Sequence, residues 1–275
     1  MHCSGTFVAV HAHPDDECIT TGGTLARFSA EGVRTVVITC TNGDAGPSRG
    51  VGPDGLAEVR SQEMGEAFGI LGVARGVELG YADSGFPNLN HAESFSQIEL
   101  QVCAEAIAGV LHEERPEVIV TYDADGGYGH PDHIRTHQAT VLAAQLAAPR
   151  AGLYAVVFPR SVLQTFEQLM APVGRAGLLG IEDMDVGTDF GTPDEAVSDS
   201  LDVSAYIEMK RRALAAHRSQ MGDDHVLLRM PPNVRRQVWQ HEYFRRLEVL
   251  PNHKVDLAAK ETTQSCAGLL DGNHL

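Results

Sequence analysis

The sequence predicts an α/β fold with a Rossmann-like, mostly parallel sheet flanked by helices and a smaller mixed C-terminal region. Two observations carry this expectation. Short β-branched apolar runs alternate with helical periods up to about residue 150, and that alternation implies right-handed crossovers between parallel strands. In addition, dense polar clusters follow directly on two of those runs, where ligands gather in such sheets.

Residues 6–12 (TFVAVHA) read as a strand buried on both faces, and 20–32 as a helix ending at Gly32. A second strand covers 33–41. The Gly- and Pro-rich stretch 42–55 must be loop. A helix over 56–72, a short strand at 76–80, a helix over 94–114 and a strand at 117–122 follow. The stretch DADGGYGHPDH starts as loop and turns helical from about Asp132, and 152–159 is the fifth strand. Beyond Pro159 the pattern loosens. Helices are expected at 160–180 and 204–222, and one or two short strands within the acidic stretch 183–203. The expected organisation is a catalytic core at 1–150 and a smaller α/β region at 151–275 completing the substrate pocket.

The chain has 275 residues, 43% of them hydrophobic, and a formal net charge of −16. It can bury a core, and its field disfavours nucleic acid and anionic membranes as partners. No apolar stretch approaches the roughly 20 residues needed to cross a bilayer. No secretory leader is visible, which predicts a cytoplasmic chain. The five cysteines are widely spaced without a CxxC pair, so free thiols are expected. A homo-oligomer remains open.

The chemistry lies in the two clusters. After the first strand comes HPDDE, with His13, Asp15, Asp16 and Glu17; after the strand ending at Tyr122 comes HPDH, with His130, Asp132 and His133. Each holds His-Pro-Asp at a strand end. A catalytic zinc takes three His or carboxylate ligands and leaves one position for water, and His13, Asp16 and His133 supply that count. The same set accepts other divalent ions such as Fe2+. Asp15 is then the carboxylate left free to accept a proton from the water. Taken singly, each residue also has a plain reading as a turn, helix cap or packed side chain; the pairing of clusters favours a metal site. Competing motifs fail. GPSRG at 46–50 is followed by VGPDG, which cannot form the helix of a nucleophile elbow, and no glycine-rich dinucleotide or phosphate loop follows the first strand.

AHPDDE and GYGHPDH together resemble the LmbE/PIG-L family of zinc-dependent N-deacetylases, and within it the mycothiol-pathway branch of N-acetylglucosaminyl-inositol deacetylases and mycothiol S-conjugate amidases. Weaker islands recur at LAAHRSQ (214–220) and HEYF (241–244). The resemblance implies zinc on His13, Asp16 and His133, with Asp15 as general base. It implies that His130, oriented by Asp132, stabilises the oxyanion or protonates the amine, and that Tyr128 polarises the amide carbonyl. Arg60 and Asp83 match positions that hold sugar or inositol hydroxyls, while His217 and Gln220 match without an assigned role. The implied activity is removal of an N-acetyl group from an N-acetylglucosamine-type conjugate. The alternatives are cleavage of a glucosaminyl-cysteine amide and deacetylation of an antibiotic amino sugar.

Overall fold

The computed structural model describes residues 5–52, 55–87, 93–171 and 190–248. Cys3, Cys266, the latter part of the 160–180 helix and the first part of the 183–203 stretch lie outside the described residues.

The described chain runs β1 (Thr6–His11), α1 (Asp16–Thr20), α2 (Gly22–Ala30), β2 (Arg34–Thr41), α3 (Leu56–Leu71), β3 (Arg75–Tyr81), α4 (Leu100–Glu114), β4 (Val118–Tyr122), α5 (Pro131–Ala147) and β5 (Gly152–Val157). It continues with α6 (Arg160–Met170), β6 (Asp199–Asp202), α7 (Ile207–Leu214), α8 (Val226–Arg229), α9 (Pro232–Trp239) and β7 (His241–Arg246). The strands form one sheet in the order β3-β2-β1-β4-β5-β7-β6. β1 to β5 are parallel, whereas β7 runs antiparallel to both β5 and β6. Strands from beyond residue 150 therefore extend the sheet begun by the first half.

Alternation along the strands divides the core between the two faces. Phe7, Ala9, Val37, Val118 and Val120 pack on one side with Leu25, Phe28, Leu71 and Trp239. Val8, Val10, Val36, Ile38 and Ile119 pack on the other with Cys103, Ile107, Leu111 and Ala143. Cys18, Cys40 and Cys103 are buried free thiols. The strand order reverses between β1 and β4, so the crevice beyond their carboxyl ends is the topological switch point. Both His-Pro-Asp clusters emerge there.

Three expected helices differ in their bounds. The one expected at 20–32 starts at Gly22 as α2, set off from the short α1 before it because Thr21 leaves helical geometry (φ −126°, ψ 8°). The Glu242 carboxylate accepts the Gly23 and Thr24 N–H groups at 2.8 and 2.7 Å, restarting the helix at α2. The 94–114 helix is a 3-10 turn, Phe95–Gln97, followed by α4. The 204–222 helix ends at Leu214, which places His217 and Gln220 in the turns beyond α7 rather than on it.

Candidate metal centre and active site

His13, Asp15 and Asp16 leave the end of β1 in a turn, and His130 to His133 form the N-terminus of α5. Three atoms from the two clusters converge. His13 Nδ1 lies 3.2 Å from Asp16 Oδ2, His133 Nε2 lies 3.4 Å from the same oxygen, and the two ring nitrogens are 3.3 Å apart. Ligands about 2.0–2.1 Å from a tetrahedral ion are separated by roughly 3.3–3.4 Å, so this triangle has the required size.

The surrounding hydrogen bonds explain why these atoms present lone pairs. His133 Nδ1 lies 3.1 Å from the Gly126 carbonyl, which can only accept, so the proton sits on Nδ1 and the neutral ring leaves Nε2 bare. Gly126 supplies that carbonyl at φ +68°, where an added Cβ would sit 2.9 Å from the His133 Cβ. His13 Nε2 donates to Asp132 Oδ2 at 3.3 Å, which turns its Nδ1 to Asp16. Burial would lower this ring, but Asp83, Asp132 and Asp16 raise it well above the ordinary histidine value, so Nδ1 gives up its proton when a metal takes that place. Asp16 Oδ2 accepts from the Tyr122 hydroxyl at 2.6 Å and from the His13 backbone N–H at 2.9 Å. Burial alone would raise Asp16, but the His133 and His13 rings hold it well below the usual carboxylate range. Without a metal, ring protons hold the two imidazole nitrogens and the carboxylate oxygen together, and a divalent cation at the same point takes the place of those protons, so the donor set fits a divalent metal. His130 stands within 4.8 Å of both other histidines.

Asp15 stays off the triangle although it is next to Asp16 in the chain. Its backbone adopts φ +113°, ψ −27°, a conformation costing on the order of 1–3 kcal/mol in a non-glycine residue. The two consecutive carboxylates therefore diverge. Asp15 faces the cleft, with Oδ2 3.3 Å from the Arg60 guanidinium. Burial pushes its carboxyl up to about 6, against the pull of Arg60.

Arg60 does not pair with Glu63, which instead accepts the Ser219 N–H and hydroxyl at 2.8 and 2.7 Å. Arg60 is buried and donates to the Pro14 and Gly43 carbonyls at 2.5 and 2.9 Å, holding the loop that carries Asp15. Asp83 accepts the Gly85 N–H at 2.9 Å and lies 3.8 Å from His13 Nε2, on the cleft wall.

His130 caps α5: its Nδ1 accepts the Asp132 N–H at 3.2 Å, so the neutral ring carries its proton on Nε2. Burial, reinforced by His13 and His133, drops His130 to about 2. Asp132 thus orients His130 through the main chain. Its carboxylate, fully buried, accepts from His13, the Ser84 N–H (2.9 Å) and the Ser96 N–H (3.1 Å); burial would raise it, but His13 and Ser84 hold it at about 2. Tyr128 lines the cleft with its ring edge-on to His130 and His133, and its hydroxyl has no hydrogen-bond partner among the described residues.

The sequence reading missed Tyr122. Its hydroxyl accepts the Ala12 N–H at 2.8 Å while donating to Asp16, and its ring stacks on His133 at 4.0 Å. The available signal was a tyrosine at the end of an apolar strand, since a buried phenol must find a partner. The cleft above the triangle has a volume of 710 Å³. Aromatic side chains, Phe86, Tyr128, Phe158 and Phe190, share its walls with polar Arg49 and Gln220, the mixture that suits an amphiphilic small molecule such as a sugar.

Fold and site together define a Rossmann-like α/β protein with a buried histidine–carboxylate cation site at the switch point. The family model described as GlcNAc-PI de-N-acetylase (PIG-L) matches residues 8–144. The 1D-myo-inositol 2-acetamido-2-deoxy-alpha-D-glucopyranoside deacetylase of Acidothermus cellulolyticus is 36% identical over 87% of this chain and 87% of its own length. The protein of the same name from Thermobifida fusca is 38% identical over 86% and 91%. This chain belongs to the PIG-L (LmbE) family.

Solved structures show the same fold. The N,N'-diacetylchitobiose deacetylase of Pyrococcus horikoshii has a TM-score of 0.58 at 22% identity, covering 88% of this chain and 84% of that one. A zinc-inhibited teicoplanin deacetylase has a TM-score of 0.59 at 18% identity, covering 88% and 97%. A 4-carboxy-2-hydroxymuconate hydratase from Pseudomonas putida reaches 0.56 at 17% identity, covering 92% and 100%. Because a hydratase shares the architecture, the fold alone does not set the reaction. Among the described residues, no helix is long and apolar enough to cross a membrane.

Proposed function

We propose that this protein is a metal-dependent N-deacetylase that hydrolyses the acetamide of an N-acetylglucosamine-type conjugate, with an N-acetylglucosaminyl-inositol as its substrate. One observation carries the reading. The metal-sized triangle of His13, Asp16 and His133 lies beside a carboxylate, Asp15, that is turned away from it into the cleft. The names of the curated relatives supply the inositol glycoside.

When bound, a divalent ion such as zinc supplies a Lewis acid and lowers the pKa of water towards about 7. Asp15 accepts the proton of the attacking water. The Tyr128 hydroxyl and the His130 Nε2–H donate to the acetyl oxygen as negative charge develops there. Asp132 and Tyr122 hold His13 and Asp16 in the orientation the donor set needs. The proton taken by Asp15 returns to the nitrogen, the C–N bond breaks, and acetate and the free amine leave. Asp83 and the polar rim hold the sugar hydroxyls.

Acetate release from N-acetylglucosaminyl-inositol, simple N-acetylglucosaminides and an N-acetylated antibiotic sugar, with and without a chelator, tests the reading. Release is expected to be fastest from the inositol conjugate and abolished by the chelator. Chelator-resistant release, or cleavage of only a bimane-labelled glucosaminyl-cysteine amide, would overturn it.

A further inference from the structure

Directly behind Asp15 lies a side-chain cluster that the proposed reaction does not use. Glu17, Cys18 and His217 are all completely buried. Glu17 Oε1 accepts from His217 Nε2 at 2.9 Å and from the Cys18 thiol at 3.1 Å. Its other oxygen, Oε2, accepts the backbone N–H of Asp15 at 2.9 Å. His217 comes from the turn after α7, distant in sequence. The group could be read as a second metal site. However, the 2.9 Å nitrogen–oxygen separation is that of a hydrogen bond and shorter than the spacing of tetrahedral ligands.

We infer that Glu17, clamped by His217, is a positioning residue that holds the Asp15 backbone in its left-handed conformation and so keeps the catalytic base off the metal. A backbone N–H taken out of helix and sheet ladders needs an acceptor of its own. Glu17 Oε2 provides it two residues along the same turn. A lone Glu17 side chain could rotate away, but His217 and Cys18 fix its other oxygen. The remaining contacts of the turn act elsewhere. The Asp15 carbonyl accepts the Cys18 and Ile19 N–H groups, and Arg60 holds the Pro14 carbonyl. Without Glu17 the peptide before Asp15 loses its only side-chain acceptor among the described residues. Asp15 can then relax towards ordinary geometry, which moves its carboxylate. His217, unassigned from the sequence, thereby acquires a role through Glu17 and not through substrate.

The inference rests on Asp15 being the general base, and the test separates the two ideas. Steady-state kinetics, bound metal and melting temperature are measured for Glu17→Met, which keeps the length and removes both oxygens, for Asp15→Ala and for their double variant, with His217→Gln, alone and with Asp15→Ala, as the second probe should Glu17→Met not fold. Glu17→Met is expected to lower kcat about 10- to 100-fold at unchanged KM and metal content, and His217→Gln to do the same more weakly. Once Asp15 is alanine, neither substitution should lower the residual kcat by more than about twofold, because a positioning residue has nothing left to position. Losses that multiply in the double variants would overturn the inference, as would loss of metal in Glu17→Met or an unchanged kcat. If Asp15→Ala itself retains kcat, the reading of Asp15 fails first, and this inference with it.

Discussion

His-Pro-Asp occurs twice at the switch point, and the two copies are used in opposite ways. At 130–132 the tripeptide obeys helix-start rules. His130 is the N-cap, Pro131 takes the first position of a 17-residue helix, and Asp132 follows in its first turn with its carboxylate completely buried. At 13–15 the following helix has only five residues, and Asp15 sits at φ +113°. The first copy relies on strain held in place by Arg60 and Glu17, while the second relies on capping. The regular copy delivers His133, the proposed ligand, and the buried carboxylate that accepts from His13. The strained copy separates two adjacent carboxylates so that one can ligate and the other can move a proton. A ligand-type side chain can be placed by regular structure, whereas turning the neighbouring carboxylate away from the site takes an irregular one.

The comparison can be broken most forcefully at the regular copy. His133→Ala removes one corner of the triangle, and bound metal, read by atomic emission, is expected to fall to background together with acetate release. Asp132→Asn keeps the shape but weakens the acceptor for His13 Nε2–H. Metal affinity is expected to drop about 10- to 100-fold, measured by competition with a chromogenic chelator. Retained affinity would show that the Ser84 and Ser96 contacts, not His13, explain the buried Asp132. Tyr122→Phe removes the hydroxyl between Asp16 and the Ala12 N–H. It leaves the Ala12 N–H without its partner and takes one hydrogen bond from Asp16, and is expected to cost about 1–3 kcal/mol of stability in chemical denaturation, with a smaller loss of metal affinity than Asp132→Asn.

The smallest effect lies at the opposite end of the sheet, where charge serves stability alone. Glu114 accepts from Arg34 at 2.7 and 3.1 Å and from Arg75 at 2.7 Å. The Arg34 hydrogen bonds lead in holding its carboxyl down at about 2, from the ordinary 4.5. A depressed folded-state value means stability that is present above pH 4.5 and lost as pH falls towards 2. Glu114→Gln should therefore lower the melting temperature slightly at pH 7, and the gap from the native protein should close as pH falls below 4.5. A gap independent of pH would show that the pair contributes by packing.

The sequence made both clusters legible because ligand-type residues at strand ends are local signals. It also made the parallel core legible through alternating β-branched runs and helical periods. It did not reveal the partners those residues take. Tyr122 reads as one more strand residue until its hydroxyl is seen on Asp16. His217 and Glu17 are 200 positions apart, a pairing no periodicity encodes. A short strand was expected within 183–203, where β6 lies, but its partner β7 was hidden for another reason. In HEYFRR the inward positions are Glu242 and Phe244, and the buried charge spoils the apolar alternation. That charge is satisfied by Lys210 at 2.6 Å and by the start of α2, which also accounts for the HEYF island as structural.

The central claim is that two neighbouring carboxylates have separate tasks, and Asp15→Ala measured beside Asp16→Ala tests it most directly. Bound metal and acetate release from the inositol conjugate are read on the same samples. The account predicts that Asp15→Ala keeps its metal and loses turnover by about 10²- to 10⁴-fold, while Asp16→Ala loses metal and activity together. Equal metal loss in both variants, or full metal retention in Asp16→Ala, would contradict it.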